Sequence, residues 1–314
     1  MNMFKLNPYC ASAIWSGDNL RKKYGKISAE SIAETWELSG YPGKESAILG
    51  GEYDGKSLTE LISLLGKSLL GTKAAGLDKF PLLIKMIDAA APLSIQVHPN
   101  DEIARKLGAD GGKTEMWIVC DCEKDSFIYY GMKETLSAKD FEEAILDGSI
   151  TEYLNKIYVK PGDTFFIKAG TVHAIGAGIT ICEVQQTSDT TYRLFDYKRK
   201  DKFGNERELH IEKAIIATDQ TPPIKFYEEG VRSGDETILV SCEYFTVSRI
   251  DVSGVATVNV ENDSFSAFTV IDGEGTILNG DEAFDLRKGE SVFVTANSGI
   301  VTLKGNMKVV RSKL

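Results

Sequence analysis

The sequence predicts a mainly β protein, an antiparallel barrel or sandwich with helices added and a second, smaller all-β part. Three observations carry this expectation. Short β-rich runs are separated by Gly-Asp, Pro-Gly and Asn-Gly turn signals, without the strand–helix alternation of a βαβ fold. Helical signals vanish from about Glu236 onward, while strand runs continue to the C-terminus. Residues 160–166 and 287–293 look alike, each placing a tight turn before an aromatic strand, which points to duplicated barrels.

Taken in order, residues 32–38 alternate in character and predict a strand. Ser57-Leu58-Thr59-Glu60 is a capping box ahead of the helical repeat Leu61, Ile62, Leu64, Leu65 and Leu69, which is expected to stop at Gly71. A second helix is predicted over 138–147, with Ser137 as cap and Gly148 as stop. A third follows the polar stretch 198–208 and is carried by Ile211, Ala214, Ile215 and Ile216, with His210 just ahead of it as a capping or surface residue. Beyond Glu236, strands are expected between Asp272-Gly273, Asn279-Gly280, Lys288-Gly289 and Asn297-Ser298-Gly299. The expected organisation is therefore a domain over 1–235 with helical insertions and a smaller all-β domain over 236–314.

A chain of 314 residues is long enough for two compact cores. Its 42% hydrophobic and 26% charged residues are those of an ordinary globular protein. A net charge of −10 argues against a nucleic-acid partner, which wants clustered Lys and Arg. The start lacks the apolar stretch of a secretory signal, and no run is long enough to cross a bilayer. Five cysteines, with no C-x-x-C pair, fit a reduced set in the cytoplasm.

Chemistry gathers around the histidines, of which the chain has three. Residues 94–98 have strand character and stop at Pro99-Asn100-Asp101, so Ser94, Gln96 and His98 share one face. Residues 113–119 repeat the pattern, putting Lys113, Glu115 and Trp117 together. His173 follows the strand 164–168 through a glycine turn. Two imidazoles, a carboxylate and an amide oxygen make a mixed donor set suited to zinc. Taken alone, the pattern leaves another reading open, in which these are hydrogen-bonded core or surface residues.

Resemblance decides between them. Ser94-Ile95-Gln96-Val97-His98-Pro99-Asn100-Asp101, Gly112-Lys113-Thr114-Glu115-Met116-Trp117 and Gly170-Thr171-Val172-His173-Ala174-Ile175 resemble the signature of type I mannose-6-phosphate isomerases, a family of cupins. The likeness covers most of the chain, including Trp36-Glu37-Leu38-Ser39 and Leu209-His210-Ile211-Glu212-Lys213-Ala214. The segment 189–197 and the short length resemble the family's compact bacterial branch. The resemblance implies two cupin (jelly-roll) barrels and one zinc ion per chain, held by Gln96, His98, Glu115 and His173. It implies an aldose–ketose isomerase that interconverts mannose 6-phosphate and fructose 6-phosphate by moving a proton between C1 and C2 through an enediol. Zinc would serve as Lewis acid, and Arg193 matches the family's catalytic arginine. Lys113, sharing a face with Glu115, is expected to bind substrate with Ser94 as a hydroxyl partner; the alternative is a lysine paired to a carboxylate. Glu183 alternates inward with Gln185 and is a candidate for proton transfer, the alternative being a carboxylate that orients Arg193.

Two other classes compete: a non-catalytic sugar-binding cupin and a cupin dioxygenase. The donor set beside Arg193 and Lys113 favours the enzyme over the sensor, and redox-inert zinc argues against oxygen activation. The expected partner is a hexose 6-phosphate, and the sequence leaves the oligomeric state open.

Overall fold

The computed structural model describes residues 1–200 and 203–314; Asp201 and Lys202, inside the polar stretch 198–208, lie outside the described residues. The fold is mainly β, and its ladders among the described residues are antiparallel.

A six-stranded sheet forms the central layer, in the order Thr164–Ile167, Glu115–Cys122, Ile179–Gln186, Leu82–Ala89, Glu34–Leu38, Tyr9–Ala11. Both of its faces are covered, and side-chain alternation sorts its residues between two cores. Trp117, Val119, Ile179, Ile181 and Ile87 pack with Ile128 and Ile175 of a five-stranded sheet. Met116, Ile118, Cys182, Val184 and Ile84 pack on the other side with Phe245, Phe293 and Val310. That two-sided burial is why Leu82–Ala89 reads as a nearly continuous apolar run.

The five-stranded sheet runs Tyr192–Phe195, Ile95–Val97, His173–Ile175, Phe127–Met132, Leu154–Tyr158. Its outer face carries Ile95, Val97, Ala174 and Leu194 against Phe141, Ala144 and Ile145 of the helix Ala138–Asp147 and Ala214 of the helix Ile211–Ala217. Alternation therefore turns Gln96, His173 and Arg193 inward, toward the central sheet.

The nine-stranded sheet holds the C-terminal part around its own core of Ile250, Val252, Phe268, Val270, Val292 and Val309. It also takes in the strand Met3–Asn7, which pairs with Ser291–Val294, and Ala47–Ile48. The other strands of this sheet all lie beyond residue 230.

Most local expectations hold. The capping box is present, with Ser57 Oγ accepting from the Glu60 N–H and Glu60 accepting from the Ser57 N–H. The helix Ala138–Asp147 runs from a Ser137 cap to Gly148 in the left-handed conformation. Two expectations need correction. The first helix, Leu58–Leu65, ends at Gly66 and not Gly71, because Gly66 takes a φ of 93° that breaks the helix before a short 3₁₀ turn, Lys67–Leu70. Asp272-Gly273 does not separate two strands: Ser266–Asn279 runs straight through it, absorbing an extra residue as a bulge between Val270 and Asp272. Gly273 is needed there, since a Cβ would meet the Asn306 carbonyl oxygen at 2.1 Å.

Candidate active site

Between the central and five-stranded sheets, three side chains from separate strands converge. His98 lies just past Ile95–Val97, Glu115 opens Glu115–Cys122, and His173 opens His173–Ile175. Their candidate donor atoms lie within 4.8 Å of one another, and all three residues are buried. Each imidazole donates its Nδ1–H to a backbone carbonyl, His98 to Thr190 and His173 to Thr171, both at 2.9 Å. A carbonyl can only accept, so both Nε2 lone pairs are left pointing inward. They face Glu115, at 3.6 Å for His98 and 3.4 Å for His173.

This arrangement fits a divalent cation. Two nitrogen lone pairs turned toward a carboxylate repel it unless a cation or donors stand close; here Lys113 Nζ lies 3.3 Å from His98 Nε2 and the Gln96 amide nitrogen 3.4 Å from His173 Nε2, and a bound ion would take over both contacts. Neither Glu115 oxygen receives a hydrogen bond of acceptable angle, although Lys113 Nζ stands 2.7 Å from Oε2 as an ion-pair partner. Burial, then the Lys113 charge, holds the His98 pKa well below its usual value. Burial takes His173 down to about 4, against the raising effect of its hydrogen bond to the Thr171 carbonyl. Both imidazoles are neutral at pH 7, the form in which a ring nitrogen can ligate.

Gln96 pairs directly with His173 across the sheet. As placed, its amide nitrogen lies 3.4 Å from His173 Nε2 while Ser94 Oγ donates to its oxygen at 3.3 Å. Ligation through that oxygen would need the amide turned by half a turn. Arg193 stands opposite Gln96 on the next strand, so Arg193, Gln96 and His173 form a row across three strands.

A cavity of about 280 Å³ opens beside this row and is lined by Ser94, Gln96, Lys113, Glu183 and Arg193. All five predicted residues outside the His–Glu–His cluster thus meet in one place. Lys113 is buried, ion-paired to Glu115, and 3.3 Å from His98 Nε2. Burial opposes its charge, but Glu115 and then Glu183 outweigh that and raise its pKa. Glu183 accepts from the Trp117 indole N–H at 3.0 Å and has Lys85 and Lys113 each at 3.8 Å. Burial, then the Glu115 charge, raises its pKa. The structure gives Glu183 no bond to Arg193. The Arg193 guanidinium donates instead to the Glu208 carbonyl at 2.7 Å.

Glu34, Lys85, Asp189 and Arg207 also line the cavity and were missed. Lys85 left a signal, being the one lysine inside the apolar run 82–89. Glu34 had one too, since it shares a strand face with Trp36. Arg207 comes from a loop and had none. His210 does not cap its helix: it occupies the N-cap position, but no cap bond forms, and its Nδ1 accepts the Arg193 backbone N–H.

Fold and site together define a mainly β protein with a buried nitrogen–oxygen donor set next to a charged cavity that shares Gln96 and Lys113 with it. Comparison with known proteins narrows the class. The family model "Phosphomannose isomerase type I, catalytic domain" matches residues 3–119, and "Mannose-6-phosphate isomerase, cupin domain" matches 235–314. The chain is 37% identical to mannose-6-phosphate isomerase ManA of Bacillus subtilis (strain 168), over 98% of this chain and 97% of that one. It is 36% identical to the mannose-6-phosphate isomerase of Streptococcus mutans, over 95% and 94%. The crystal structure of a Bacillus subtilis mannose 6-phosphate isomerase superposes with a TM-score of 0.90 at 34% identity, covering 100% of both chains. The chain belongs to the type I mannose-6-phosphate isomerase family.

Proposed function

We propose that the protein interconverts mannose 6-phosphate and fructose 6-phosphate, assisted by one zinc ion per chain. The observation that carries this reading is the juxtaposition of a preformed His98–Glu115–His173 donor set with a cavity lined by both cations and carboxylates. Gln96 would complete the ligand set. A bound zinc would supply Lewis-acid stabilisation of the negative charge that develops on the sugar oxygens at C1 and C2.

The remaining roles fall to the chain's own side chains. Arg193 would stabilise developing oxyanion charge, as a cation that does not give up its proton at neutral pH. Its side chain is held by Glu208, and its place in the Gln96–His173 row sets it beside the donor set. Glu183 would move the proton between C1 and C2. Its raised pKa brings it closer to neutrality, where a group that both takes and returns a proton works best. Lys113 and Ser94 would bind the substrate, Lys113 by charge and Ser94 by its hydroxyl. The phosphate would provide binding energy remote from the reacting carbons, offsetting the ordering of an open sugar chain.

We further read residues 1–235 as the catalytic unit and 236–314 as a metal-free bracing unit, and the cytoplasm as the protein's location. Among the described residues no helix is long and apolar enough to cross a membrane. A coupled assay for fructose 6-phosphate from mannose 6-phosphate tests the reading; absence of turnover with zinc supplied would overturn it.

A further inference from the structure

The third histidine has no part in the reading above, yet the structure spends it on Arg193. The strand Tyr192–Phe195 is the edge of its sheet, paired on one side only, with Ile95–Val97. Its register shifts between Arg193 and Phe195, so the ladder is irregular at the arginine itself. An edge strand leaves backbone groups without partners, and His210 takes both of those on Arg193. Its Nδ1 accepts the Arg193 N–H at 3.1 Å, and its own N–H donates to the Arg193 carbonyl at 2.8 Å. Two residues earlier, the Glu208 carbonyl accepts from the guanidinium at 2.7 Å.

His210 forgoes a local role to do this. It sits at the N-cap of Ile211–Ala217, where an N-cap side chain ordinarily accepts from the first turn, but makes no cap bond. Accepting at Nδ1 requires the neutral ring with its proton on Nε2. Its surroundings favour that form: burial, then the Arg193 charge, lowers its pKa, with Glu208 opposing and Lys213 adding to the effect. The Tyr192 ring lies alongside, 6.2 Å between centroids. Helix Ile211–Ala217 in turn packs through Ala214 onto the sheet that carries Gln96 and His173.

We infer that His210 is a positioning residue for Arg193, standing in for the missing neighbouring strand and fixing where the guanidinium enters the cavity. The inference rests on the isomerase reading for its kinetic consequence, but the backbone bond can be tested without it. Asparagine is the informative replacement, because its side-chain oxygen can accept where Nδ1 does, whereas alanine offers nothing.

Amide hydrogen exchange reads the bond directly: the Arg193 N–H should be protected in wild type and His210→Asn and exposed in His210→Ala. In the isomerase assay, His210→Ala should lower kcat by about tenfold, the scale of one lost hydrogen bond, while His210→Asn stays within about threefold of wild type. Placed on an Arg193→Ala background, His210→Ala should change kcat by less than about twofold, because its effect runs through that side chain. Metal content should stay at the wild-type level in every variant. An Arg193 amide equally protected in His210→Ala would overturn the inference, as would equal loss in both Arg193 backgrounds. Wild-type protein without isomerase activity would instead overturn the functional reading, leaving the exchange result to decide on His210.

Discussion

The pair Lys26–Glu37 should be a costly ion pair to break. Glu37 is fully buried and Lys26 Nζ stands 2.6 Å from its Oε1. Lys26 also donates to the Gly289 carbonyl, while Thr35 donates to Glu37 at 2.6 Å and Ser291 at 3.2 Å. The cluster thus ties the strand Glu34–Leu38 of the central sheet to the turn and strand around 289–291 of the C-terminal sheet. Lys26→Met keeps the side-chain bulk and strands a buried carboxylate, which costs about 3–5 kcal/mol. With 314 residues at about 2.1 cal/mol/K each, the unfolding entropy is near 0.7 kcal/mol/K, so Tm should fall by about 5–8 °C. Thr35 and Ser291 still donate to the orphaned carboxylate, which favours the lower half of that range. Adding Glu37→Gln removes the stranded charge and should recover part of the loss. Neither residue lines the cavity, so turnover at 25 °C should stay within about twofold. Scanning calorimetry of the three proteins decides it. A Tm for Lys26→Met within about 1 °C of wild type would refute the argument that this pair locks the two sheets.

Four further outcomes follow from the site. Arg193→Ala should lower kcat by about a hundredfold or more with metal content unchanged, and Arg193→Lys should rescue poorly for want of the planar fork; normal turnover in the alanine variant would reduce Arg193 to a structural residue. Mannose 6-phosphate should exceed mannose in kcat/KM by on the order of a hundredfold, and Lys113→Ala should penalise the phosphorylated sugar more; equal efficiencies for the two sugars would contradict the substrate proposal. In chelated protein, stability should be full above pH 6.5 and fall as pH drops toward 4, because the unfolded chain takes up protons that His173 refuses in the fold. The share of His173 is on the order of 3 kcal/mol, and His98, held low as well, adds to the loss; His173→Gln should remove the His173 share in urea titrations and leave the rest, and a wild-type midpoint independent of pH across that window would count against the neutral, buried imidazoles. Metal analysis of crystals should find no ion bound by residues beyond 236, where the core holds Val252, Phe268 and Val292 and the sequence has no histidine.

What the sequence revealed was what is encoded locally. The helix Ala138–Asp147 is bounded by its own cap and stop residues, and the inward faces of 94–98 and 113–119 follow from the two-residue period of a strand. The same period turns Glu183 of Ile179–Gln186 inward, while Lys113, two residues ahead of Glu115–Cys122, reaches the same cavity from outside the strand. Pairings between distant segments left no such trace. Nothing in Met3-Phe4-Lys5 indicates that it lies against Val292-Phe293-Val294. Nor does any local pattern place Arg193 opposite Gln96, or send the imidazole of His210 to the Arg193 backbone instead of its own helix. Lys85 was legible in principle, since a lysine in a strand buried on both faces must find carboxylates, and it finds Glu34 at 3.1 Å and Glu183 at 3.8 Å.

The reading of the site rests above all on the His98–Glu115–His173 set holding a metal on which isomerisation depends. Its most direct test is the rate of fructose 6-phosphate formation from mannose 6-phosphate, followed through removal of metal by chelator and readdition of zinc at one equivalent per chain. Activity should disappear with the metal and return with zinc, with no such return in His173→Ala. Metal-free protein that turns over mannose 6-phosphate at the full rate would contradict it.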